Sequence, residues 1–227
     1  MRLYQKKARI IGALLLFVFV SGVLIFQILQ GPTLFGDNFL RSAAERSNQL
    51  IGSVVLGIFN GIASVLVAVL LHPFFKKISP VVALMYVALT ILNFIAIAID
   101  HISVISMLEL SKRYVEYGDS DNLLATIWYE RHWWTHYLFL LISCFPAVVM
   151  YYGFYITKLI PKIISVFGML AVLLMLTEVF GSIFGRSISM NMLVPIGLVQ
   201  LILPIWLLIK GFQKTDLLMR THDTVSN

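Results

Sequence analysis

Two histidines four residues apart, His132 and His136, stand where a charged stretch meets a long apolar run: Tyr129-Glu130-Arg131-His132-Trp133-Trp134-Thr135-His136. On a helix this spacing puts both imidazoles on one face, with Ser143 two turns further along it. Such a pair can clamp a divalent metal, relay a proton or hydrogen-bond a polar ligand. Two carboxylates sit inside apolar runs and are the natural partners, Asp100 and Glu178, with Arg186 on the face of Glu178.

The elements that must position these groups are membrane spans. Hydrophobic residues make up 59% of the 227-residue chain and charged residues 12%, with a mean hydropathy of +0.91. That leaves too few polar side chains to clothe a soluble domain. Six apolar runs, at about 10–29, 50–71, 80–107, 132–156, 163–184 and 192–209, each match the roughly 20 residues that cross a hydrocarbon core. None alternates in polarity as a barrel strand would. The reading is an all-α, single-domain bundle of six transmembrane helices, with a short polar tail at 210–227. The first run is too long for a signal peptide and lacks a small-x-small cleavage site, so it reads as a retained span. Pro146 lies inside the fourth run, where it is expected to kink the helix. Turn chemistry marks 36–38, 117–122 and 185–187. The segment 123–131 reads as an interfacial helical turn leading into the fourth span.

The net charge of +6 and pI near 9.5 do not point to nucleic acid, because the basic residues sit in connectors between spans and form no stripe. Eleven of the 17 Lys and Arg residues fall at the N-terminus, at Lys76/Lys77, at Lys158/Lys162 and in the tail. The positive-inside bias therefore predicts that both termini lie in the cytoplasm and that the long connector 109–131 faces outward.

Helical rise sets the height of each ionisable group. Asp100, His136 and Glu178 all come to roughly 5 Å inside the outer end of their spans, the third, fourth and fifth. Three readings of this constellation stand. In the first, Asp100 pairs with a histidine and Glu178 with Arg186, and the pairs lock helices together in a structural or partner subunit. In the second, Asp100, His132, His136, Glu178 and Arg186 line an outer-leaflet pocket for a small polar ligand, an ion or a proton. In the third, His132, His136 and Asp100 hold a divalent metal that activates water, making the protein an intramembrane hydrolase. The His-Glu-x-x-His motif is absent, since Trp133 takes the place of its Glu. The second reading leads, and with it a binding or transport-like role rather than catalysis. No internal repeat of the kind built into many transporters is evident.

Other polar or reactive residues have simpler accounts. Trp128, Tyr129, Trp133 and Trp134 suit the membrane interface. Cys144, alone in the chain, reads as a small buried apolar residue. Asn60 lies between Gly57 and Gly61, and Gly181/Gly185 form a second small-xxx-small pair, both devices for close helix packing within or between copies of the chain. His101 and Gln200 are expected to hydrogen-bond between helices.

Three segments carry a family resemblance: 6–12 (Lys-Lys-Ala-Arg-Ile-Ile-Gly), 158–168 (Lys-Leu-Ile-Pro-Lys-Ile-Ile-Ser-Val-Phe-Gly) and 206–212 (Trp-Leu-Leu-Ile-Lys-Gly-Phe). In order and spacing they resemble the bacterial membrane proteins catalogued as domain of unknown function forty-three eighty-six. The resemblance implies a six-span protein of the bacterial inner (plasma) membrane. It brings no assigned activity, cofactor or catalytic residue.

Overall fold

The first helix, α1 (Arg2–Val23), runs on through a π-helical stretch, Leu24–Gln30, into a last turn, α2 (Gly31–Leu34). A short α3 (Phe39–Glu45) precedes α4 (Ser47–Lys76), α5 (Pro80–Tyr117), α6 (Asn122–Thr157), α7 (Lys162–Ile183) and α8 (Met190–Ile209). These elements come from a computed structural model that describes residues 2–34, 39–118, 122–186 and 190–215, and no strand occurs among them. The turn residues 36–38, 119–121 and Ser187, and most of the tail from 216 onward, lie outside the described residues.

Six helices are long and apolar enough to cross a membrane, the first extending over Arg2–Leu34. Their outward faces are apolar: Phe59, Leu84, Ile95 and Leu170 are each more than half exposed. In water such a belt would aggregate, whereas lipid accepts it, provided the backbone is satisfied within each helix. The chain is an integral membrane protein of the multi-pass, helix-bundle kind.

The two helices around the candidate site are much longer than a span requires. At 38 and 36 residues, α5 and α6 reach roughly 55 Å against a hydrocarbon core of about 30 Å. The third span continues to Tyr117, ten residues past the expected end at 107, and the segment expected as a separate interfacial turn, 123–131, is continuous with the fourth span. Local sequence permits the extension: 108–117 and 124–131 contain no Pro or Gly, and Gly118 closes α5 in the left-handed conformation (φ +64°). At its other end α5 begins on Ser79, whose hydroxyl accepts from the Val82 N–H, with Pro80 in the first turn. Pro146 is accommodated inside α6.

Each span packs on the next in chain order, from α4 through α8, and α8 returns to α1, which packs on α4 to close the ring. Two apolar cores fill it. The larger runs from the terminal end upward and includes Phe74, Phe75, Tyr151, Phe154, Leu159 and Leu207. The smaller sits at the opposite end, where Leu34, Ala43, Leu50, Val104, Met107 and Leu108 pack beneath Phe39, Trp128 and Tyr129. There the Ser111 hydroxyl donates to the Leu40 carbonyl, tying α3 to α5.

The three family-like segments converge at the terminal end. Gln5 Nε2 donates to the Phe212 carbonyl (2.8 Å) and Gln5 Oε1 accepts from the Phe212 N–H (3.1 Å). The Gln213 N–H donates to the Leu159 carbonyl (2.8 Å). Gly12 lets α1 meet α8 so closely that a Cβ there would stand 3.0 Å from Leu207 Cβ. Gly168 does the same for the Tyr151 ring across α6 and α7.

Gly168→Ala would drive a methyl group into the Tyr151 ring and is expected to cost about 1–3 kcal/mol. Gly52→Ala, with open space around it, should be neutral or gain up to about 1 kcal/mol. Reversible unfolding in mixed micelles checks both. Equal effects would contradict the packing described.

Candidate functional site

Asp100 is fully buried on α5, and the structure brings three imidazoles to its carboxylate. Its Oδ1 lies 3.7 Å from His132 Nδ1, and its Oδ2 lies 3.7 Å from His136 Nδ1 and 3.9 Å from His101 Nδ1. Two hydroxyls complete the cluster. Ser103 Oγ is 2.9 Å from His132 Nδ1 and 3.0 Å from Thr135 Oγ1, and Thr135 donates to Asp100 Oδ1 at 3.3 Å. Among the described residues, Asp100 Oδ2, His136 Nδ1 and both ring nitrogens of His101 have no hydrogen-bond partner. Buried polar atoms are normally satisfied, so four unpaired ones within a few ångströms mark a place built for more than packing.

The positioning follows from helix geometry. His132, Thr135 and His136 recur at i, i+3 and i+4 and so share the face of α6 turned to α5. Asp100 and Ser103 do the same on α5. Phe26, on the π-helical stretch after α1, sits edge-on to His136 (centroids 5.1 Å) and stacks on Phe139. That stretch is tied to α4 by Gln30, whose Nε2 donates to Ser53 Oγ at 3.0 Å. Beyond the cluster, toward the far end, stands the small core of Val104 and Met107. His101 and His132 are each 3% exposed and the His136 side chain 14%, so the protein encloses most of the cluster.

Of the residues singled out from sequence, Asp100, His132 and His136 come together. Glu178 and Arg186 form a second polar centre on α7 and the turn after it, with Arg186 Nη2 donating to Glu178 Oε2 at 2.9 Å. Glu178 is buried and the guanidinium lies across Gly181, where a Cβ would stand 2.7 Å from its Nε. α7 packs on α6 and α8, while the wall beside Asp100 is supplied by α4 and the end of α1. Spans one and two thus take the place expected for span five. Cys144 is buried, as expected of a small apolar side chain.

His101 was expected to hydrogen-bond between helices; instead neither ring nitrogen has a hydrogen-bond partner among the described residues, and its Nδ1 lies 3.9 Å from Asp100 on the same helix. The signal was in α4: Gly57 has no side chain, and the His101 imidazole occupies the space, so a methyl group there would overlap its Nε2. Gly61 seats Phe94 in the same way. The small-xxx-small pair in α4 therefore receives side chains of α5. Asn60, between them, turns to α1 and donates to the Val18 carbonyl and Ser21 Oγ, both at 2.8 Å.

The metal reading finds no geometric support. Among the described residues, no group of three or more His, Cys, Asp or Glu side chains is arranged to hold a metal ion. The arrangement is suited to hydrogen bonding and to sharing protons between one carboxylate and several imidazoles. Ser103→Ala removes the hydroxyl that His132 Nδ1 meets and should cost about 1–3 kcal/mol in a micelle unfolding experiment. A change within error would show that the hydroxyl is not engaged.

No curated protein and no solved structure matches the chain. The family whose model does match is described as Domain of unknown function (DUF4386), and the match extends over residues 10–211. With six apolar spans and nearly its whole length matched, the chain belongs to the DUF4386 family of unknown function.

Proposed function

We propose that this membrane protein binds a proton at the Asp100–His101–His132–His136 cluster, as the ion-handling step of a binding or transport-like role. The observation that carries the reading is one buried carboxylate with three imidazole nitrogens at 3.7–3.9 Å. A carboxylate within a membrane span is costly unless paired. Neutral imidazoles offer it hydrogen bonds at best, whereas one added proton makes a carboxylic acid or an ion pair. A proton needs no cavity, which suits a closed cluster. The facing elements add no further titratable group among the described residues: α4 presents Gly57 and the stretch after α1 presents Phe26. The four side chains therefore act as one coupled set.

The full chain in detergent is titrated between about pH 5 and 8, the range in which imidazoles exchange protons, and proton uptake is counted. Asp100→Asn should change the uptake by at least about half a proton per chain, as linkage requires when one member of a coupled set is lost. A variant with His101, His132 and His136 all replaced by Gln should do the same. Curves identical to the unaltered chain for both variants would leave the cluster as a lock between helices.

The basic clusters at the terminal end support cytoplasmic termini, and the membrane proposed for the protein is the bacterial inner membrane. A reporter active only in the cytoplasm, fused to the C-terminus, should be active, and a periplasm-dependent one silent. The reverse pattern would invert the topology and place the cluster near the cytoplasmic face.

A further inference from the structure

A notch of about 320 Å³ opens where α6 meets the end of α7. Tyr129, Glu130, Trp133, Trp134 and Tyr137 line it from α6, and Ser182 closes it from α7. The aromatic residues recur at three- and four-residue steps, so they form one helical face. Their rings form a run, with Tyr129 edge-on to Trp133 at 6.0 Å and Trp133 beside Tyr137 at 5.6 Å. An interfacial belt accounts for tryptophan and tyrosine at this level. It does not account for their gathering around a concavity that also holds a carboxylate.

The charges nearby are distributed unevenly. The Arg131 guanidinium is stacked over Trp128, 4.6 Å from the ring centroid, and Arg186 is held by Glu178. Glu130 is exposed and makes no ion pair among the described residues. The notch thus offers a negative charge among several aromatic rings, of which Trp134 is more than half exposed, while the two neighbouring arginines are engaged elsewhere. Anions are disfavoured by the carboxylate. Divalent metals need several oxygen ligands, and the notch offers only one carboxylate. The chemistry that gains from both features is a weakly hydrated organic cation, which binds within about 6 Å of aromatic centroids and pairs with a carboxylate.

We propose that this notch binds an organic ammonium group, an alkylammonium or trimethylammonium, supplied by a lipid headgroup or by a free amine. The site is separate from the proton cluster, and neither depends on the other being correct.

The test uses the full chain in a maltoside detergent, which carries no ammonium group. Tetramethylammonium chloride is titrated against sodium chloride at matched ionic strength, and saturation transfer to the methyl protons is measured. Saturable transfer is expected, weakened at least about fivefold by Glu130→Gln and by Trp134→Ala. Both side chains are exposed, so the variants should elute and melt as the unaltered chain does. Should Trp134→Ala misfold, Glu130→Gln alone decides. Non-saturable transfer, or binding unchanged in the folded variants, would overturn the proposal. The source is read from nanodiscs of phosphatidylglycerol alone compared with nanodiscs that also contain phosphatidylethanolamine. Loss of tetramethylammonium binding in the second assigns the site to a lipid headgroup, and unchanged binding assigns it to a free amine.

Discussion

Hydrocarbon offers no hydrogen bonds, so a carboxylate placed in it must find every partner within the protein. Asp100 is that carboxylate, and much of the architecture around it answers this requirement. α6 brings two histidines and a threonine to it on one face, α5 contributes a third histidine and a serine that meets His132 and Thr135, and α4 gives up a side chain at Gly57 to admit that histidine. Past the cluster, α5 and α6 continue as helices, and α3 with the Met107 core packs at that end. Most of the cluster is thereby enclosed by protein. Burial strengthens each charge interaction and raises the cost of each unpaired atom.

The two ends of the bundle have different characters. At the terminal end, short polar links between backbone and Gln5 and close glycine contacts at Gly12 and Gly168 bind the first, fifth and last spans around a large aromatic core. The segments that carry the family resemblance all lie there, which makes them a packing solution. The opposite end carries the ionisable groups: the Asp100 cluster, the Glu178–Arg186 pair and the aromatic notch. Trp133 borders both the notch and the ring of His136, at 6.4 Å between centroids, so the two polar regions share a wall. One end holds the ring closed, and the other presents the chemistry.

How much of this was legible in the amino-acid sequence differs residue by residue. The six spans were, because runs of about 20 apolar residues have no other stable use. The shared face of His132 and His136 was, because the helical period is fixed by backbone geometry. The length of α5 and α6 was not, because residues 108–117 and 124–131 mix charged and apolar positions. A helix through them depends on packing against α3 and on Gly118 at its end. The place of His101 beside Asp100 was not legible, because adjacent residues of a helix diverge unless a glycine opposite, here Gly57, makes room.

By itself, then, the sequence determined the class of the protein, the number of its membrane-length helices and which ionisable groups share a face of one helix. A shared face follows from the helical period, which is fixed by backbone geometry. Only the tertiary structure decided which groups meet. That choice is rotational, set by how side chains of one helix fill the gaps of the next. It joined Asp100 to three histidines, gave Glu178 to Arg186, and placed spans one and two, in the persons of Phe26 and Gly57, around the cluster.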